Sequence, residues 1–132
     1  MADPDLALLK ILIERTSYMN NYWNLYIVAS AAIVGILSSG KDFTRLLRLR
    51  VVLCLVFISF ALSNLCAILS LVDQRNAVLN QLSEMVPAEL KASLTPEPRL
   101  LYLAFHVLLD LLIACSILFV PWHSLGKETV SD

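Results

Sequence analysis

Long apolar runs separated by short polar stretches divide this chain, and the apolar positions keep a helical period nearly throughout. Leu6, Leu9 and Ile13, flanked by Leu8 and Leu12, form a stripe opposite Asp5, Lys10, Glu14 and Arg15, the pattern of an amphipathic helix. Asp3 and Pro4 supply a capping carboxylate and a first-turn proline at its start. No breaker intervenes before the apolar run Trp23 to Ser39, so one helix is predicted over 4–39, with a membrane-spanning part at about 23–39. A second helix is predicted over 43–86. Its span at about 51–72 carries no charge, and Val78, Leu82 and Met85 carry the period onward without glycine or proline. Pro87 restarts the chain, a short helix is predicted over 87–94, and Thr95, Pro96 and Pro98 lead into a last helix over 96–122, with its span at about 100–122. Residues 123–132 read as a frayed tail.

The fold class that follows is an all-α integral membrane protein with three transmembrane helices. The first two are long and extend beyond the bilayer on one side as an antiparallel helical hairpin, which sets the N-terminal stripe against Val78, Leu82 and Met85. Tyr18, Tyr22, Trp23 and Tyr26 gather where the first span begins, the placement of an interfacial aromatic belt. Two sets of small residues are candidates for helix packing. Ala31, Gly35 and Ser39 recur every fourth residue, and Ser59, Ser63, Cys66, Ala67 and Ser70 share one face of the second span.

Charge then sets orientation. Gly40 reads as a helix stop, and behind it Lys41, Arg45, Arg48 and Arg50 oppose a single acid, Asp42. This topogenic basic loop belongs in the cytoplasm by the positive-inside rule. Across residues 73–99, Asp73, Glu84, Glu89 and Glu97 face Arg75, Lys91 and Arg99, which suits the opposite side. The N-terminus is thus expected outside and the C-terminus in the cytoplasm, in a bacterial inner membrane or its equivalent. The leading residues are acidic and Lys10 interrupts the first apolar run, so residues 1–15 read as retained and not as a signal peptide.

Composition agrees. Hydrophobic residues make up 58% and charged ones 16%, with a mean hydropathy of +0.74, which is too apolar for a soluble domain of 132 residues. A net charge of −1 gives no nucleic-acid footprint. Cys54, Cys66 and Cys115 all lie in apolar segments without a C-x-x-C pair, which points to packing and away from a disulfide or a zinc site.

The chemistry of interest lies in the last span. Tyr102, His106 and Asp110 are spaced by four and form one stripe. Counting inward from the outer boundary places Asp110 about 15 Å deep, His106 about 9 Å and Asn64 of the second span about 12 Å. Ser63 and Ser30 fall at similar depth, completing a candidate intramembrane polar cluster. No lysine or arginine lies within the spans, so Asp110 must be protonated, paired with a charged His106, or open to water. Three readings follow: the cluster fixes helix register, it forms an acidic ring in a pore shared by several copies, or it passes a proton across part of the membrane.

His106 alone does not make a haem or metal site, and no cofactor is implied. No phosphate loop, paired-histidine motif, G-x-S-x-G or second carboxylate near Asp110 in the apolar spans suggests catalysis. In size, number of spans and orientation the chain resembles some phage holins, which form membrane lesions; the resemblance is one of topology and covers no specific motif. The expected function is that of a small non-enzymatic membrane protein, partnered by the lipid bilayer, that self-assembles, with an ion-permeable or membrane-perturbing oligomer as its most concrete form. The alternative is an accessory or scaffold subunit of a larger membrane complex.

Overall fold

Helical spacing is the organising feature of the computed structural model, which describes residues 3–39 and 46–120. Four helices form, α1 (Asp3–Ser38), α2 (Leu47–Leu79), α3 (Ala88–Leu94) and α4 (Arg99–Phe119), with no strand among the described residues. Among the described residues, three stretches are long and apolar enough to cross a membrane: Pro4–Ser38, Leu47–Leu79, and Ala88–Phe119, which holds α3 and α4.

The buried faces follow a seven-residue rule. On α1 the inward positions are Asp5, Leu9, Leu12, Thr16, Met19, Trp23, Tyr26, Ser30, Ile33 and Leu37, alternately four and three residues apart, each buried or half-buried. On α2, Phe57, Ala61, Asn64, Ile68, Leu71 and Arg75 are buried at the same alternation. Spacing of this kind keeps one seam of each helix against its neighbour. The seams meet in three apolar clusters. Leu9 and Leu12 pack with Leu82 and Val86, Met19 packs with Ile68, Leu71 and Val72, and Tyr26 and Leu37 pack with Phe57, Ala61 and Ile117. Early α1 therefore meets the chain just after α2, and late α1 meets early α2.

Several helix ends differ from the sequence expectation. The second helix stops at Leu79 and does not reach Val86; residues 80–86 form turns. Local propensity does not explain that stop, because no breaker precedes Pro87. Tertiary contacts do. The buried Asp5 carboxylate accepts from the Ser83 backbone N–H at 3.1 Å and from its hydroxyl at 2.7 Å, and Lys91 Nζ donates to the Leu82 carbonyl at 3.3 Å. A continuing helix would have to give up these partners. The last helix begins at Arg99 and not at 96, because Pro98 holds Glu97 extended and itself sits at the cap. Gly40, Lys41, Arg45 and the tail from residue 121 lie outside the described residues.

Arg75, read from sequence as one charge of an outer loop, is buried on α2, where its Nη2 donates to the Leu94 carbonyl at 2.8 Å and so ties down the end of α3. Asp73 and Arg99 make an exposed ion pair at 2.7 Å. At the opposite end Arg50 Nη1 donates to the Leu118 carbonyl at 3.2 Å, holding the close of α4, while Arg48 is exposed.

The small-residue faces do not pack within the chain. Ala31 and Gly35 on α1, Ser39 just after it, and Ser59, Ser63, Cys66 and Ser70 on α2 are exposed, Ala67 is half-buried, and a Cβ at Gly35 would meet nothing within 4 Å. Bulkier seams win because each helix has one arc to bury, and Phe57, Ile68, Leu37 and Ile117 fill more space than hydroxyls do. Cys66 and Cys115 are likewise exposed and Cys54 half-buried, so only the last helps pack the interior.

Candidate functional site

Four polar side chains from three helices converge among the packed apolar residues. Each occupies an inward position: Tyr26 on the α1 seam, Asn64 on the α2 seam, and His106 with Asp110 one turn apart on α4. His106 is fully buried and Asp110 is 8% exposed. Tyr26 donates its hydroxyl to Asp110 Oδ1 at 2.8 Å. His106 Nδ1 lies 2.9 Å from Asp110 Oδ2, and Asn64 Nδ2 lies 3.4 Å from His106 Nε2. Trp23 and Tyr26 close over the imidazole, with ring centroids 5.6 and 4.5 Å away.

Donors and acceptors in this chain are coupled. If Asn64 donates to Nε2, then Nδ1 must carry the ring proton and donate it to Asp110, which accepts from Tyr26 as well. The site then holds one unbalanced negative charge. If instead the imidazole is doubly protonated, or Asp110 carries the proton, Nε2 bears a hydrogen and needs an acceptor. Asn64 Oδ1, buried without a partner, provides one when the amide turns over. The orientation of one amide thus follows the net charge of the whole site. That proton can move between Asp110 and His106 inside the cluster, but both carboxylate oxygens are already occupied by partners in the same chain. Among the described residues no three His, Cys, Asp or Glu side chains gather as a metal ion requires.

Of the residues singled out from sequence, His106, Asp110 and Asn64 are brought together. Tyr102 lies one turn before His106, packed at the edge of the Met19, Ile68, Leu71 and Val72 cluster. Ser30 lies one turn from Tyr26 on the same seam, its hydroxyl buried without a partner. Ser63 is excluded: one residue from Asn64 is a 100° turn of the helix, which puts it on the exposed face. Tyr26 is the member that sequence reasoning missed, because its position at the start of an apolar run looked interfacial. Its signal was present in the alternating four-and-three spacing that joins Leu12, Met19 and Tyr26 to Ile33 and Leu37.

Comparison with family models, with curated proteins and with solved structures finds no match to this chain.

Proposed function

We propose that the chain is a small non-enzymatic multi-pass membrane protein that assembles with copies of itself, most concretely into an ion-permeable or membrane-perturbing oligomer. The observation that carries this reading is the outward small-residue face of α1, open at Gly35, set in an exterior of exposed apolar side chains such as Ile27, Val28, Leu55, Leu108 and Leu111. Water would penalise such an exterior and a bilayer would not. Where lipid tails are as apolar as the helices, close approach of small residues is a main source of helix association. In this reading the buried network locks the register of the three spans. An ion path, if the oligomer has one, runs between copies along the exposed Ser59, Ser63, Cys66 and Ser70 face of α2, because Asp110 is turned inward.

The test is oligomeric state. The protein in mild detergent, counted by single-molecule photobleaching, is expected to be oligomeric. Gly35→Leu should weaken assembly by about tenfold or more in dissociation constant, with helicity unchanged. Ion flux into liposomes should fall with it. A second reading, an accessory subunit, draws on Ile13 of α1, 63% exposed, and on Met85 in the turns after α2, which is 74% exposed and does not pack against the N-terminal stripe as its spacing predicts. A monomeric protein that co-purifies with one larger membrane protein would replace the first reading by the second.

Orientation is part of the proposal: N-terminus and residues 73–99 outside, the basic loop and C-terminus inside, with the outer ends of α1 and α2 forming an antiparallel hairpin beyond the bilayer. Glu84→Cys is an exposed position that leaves the Asp5–Ser83 contact intact. It is expected to react with an impermeant maleimide in intact cells, whereas Ser131→Cys reacts after lysis alone. The reverse pattern overturns the orientation.

A further inference from the structure

On one side of α1 and α2, near the outer end of the spans, lies a half-open groove of about 530 Å³. Its outer end is polar, with Arg15, Asn21 and Gln74, and its floor is apolar, with Leu25, Ala67 and Leu71. Arg15 has no carboxylate within ion-pair distance among the described residues. Its guanidinium folds toward the span and rests 5.8 Å from the centre of the Tyr18 ring. The neighbouring acid, Glu14, accepts the Tyr18 hydroxyl at 2.8 Å and does not line the groove. The Asn21 side-chain amide has no hydrogen-bond partner among the described residues, and Gln74 uses one amide hydrogen on Ser70 at 3.2 Å, leaving the other unassigned.

We infer that this groove holds one anionic phospholipid, its phosphate on Arg15 with Asn21 and Gln74 as further donors and the top of its acyl chain on the Leu25, Ala67 and Leu71 floor. The inference rests on the membrane reading above. A cation without a counter-charge, beside unpartnered amide donors, matches a phosphodiester. A floor that turns apolar toward the span matches what a phosphodiester in a bilayer is attached to. From Arg15 to Leu25 the helix rises about 15 Å, enough to run from the head-group layer into hydrocarbon. Tyr18 and Tyr22 flank that transition, where amphipathic rings are favoured. A soluble phosphate would use the polar end and leave the floor bare.

The experiment is native mass spectrometry of the full chain in mild detergent, with phosphatidylglycerol or phosphatidylcholine of identical acyl chains. The wild type is expected to retain one phosphatidylglycerol in preference to phosphatidylcholine by about fivefold. Arg15→Gln should bring that preference to about one, while Lys10→Gln, an exposed cation away from the groove, leaves it unchanged. Ala67→Phe, which fills the floor, should reduce retention of both lipids. Equal retention by the wild type, or a preference that survives in Arg15→Gln, overturns the inference. So does full displacement of lipid by millimolar inorganic phosphate, which would make the site one for a soluble anion. Carbonate extraction of the wild type is run in parallel. Release of the chain sinks the membrane reading, whereas retention without lipid preference sinks the groove alone.

Discussion

Asp110→Ala is expected to lower the unfolding free energy of the detergent-solubilised protein by about 3 kcal/mol, the scale for removing one member of a buried charged pair. Tyr26 and His106 would each lose their Asp110 partner at a buried site. Tyr26→Phe removes a single hydrogen bond and keeps the ring, so about 1 to 2 kcal/mol is expected. Asp110→Asn keeps an acceptor for Tyr26 and falls between. The magnitude decides something here. Interhelical hydrogen bonds in membrane proteins average only about 0.6 kcal/mol because unfolded spans find other partners. A loss of that size for Asp110→Ala, measured by denaturing-detergent titration, would mean that the network is replaceable and that packing alone sets register. A double-mutant cycle with Tyr26→Phe should show clear non-additivity, since both changes act on one contact.

Leu12→Ala should cost about as much, roughly 2 to 5 kcal/mol, for a different reason. Leu12 is fully buried with Leu9, Leu82 and Val86, so its cost is that of lost apolar burial and of the cavity left behind. Leu25→Ala, on a half-exposed side chain of the span, should cost almost nothing. The loss at Leu12 is expected to appear locally, as faster hydrogen exchange and proteolysis across residues 80–94, with the Tyr26 and Asp110 region still protected. Uniform loss of protection along the whole chain would show that the outer contacts and the bundle unfold as one unit.

Much of this architecture was legible in the sequence because it depends on period and length. Uninterrupted helical spacing gave α1 its 36 residues, and simple depth counting brought Asn64 to the level of His106 and Asp110. Rotation about each axis was harder. Small residues suggested two packing faces that turn out to be exteriors, since a spacing of four marks a face without saying what it faces. The seam itself was written in the same residues at alternating fours and threes, from Asp5 to Leu37 and from Phe57 to Arg75, and it placed Tyr26 inside and Ser63 outside. Where α2 stops was not legible at all. That end is decided by Asp5, 78 residues away in sequence from Ser83, and no local propensity contains it.

The contact between Tyr26 and Asp110 bridges 84 residues of sequence, which bears on how the protein is made. During synthesis α1 is complete long before α4 leaves the ribosome, so Tyr26 waits without its Asp110 acceptor while Asn64 arrives on α2. α4, by contrast, brings His106 and Asp110 already matched across one turn, which lessens the penalty of taking a carboxylate out of water. Order of emergence and order of need thus coincide: the segment with the costliest group to bury arrives last, to a site whose other half has already been translated.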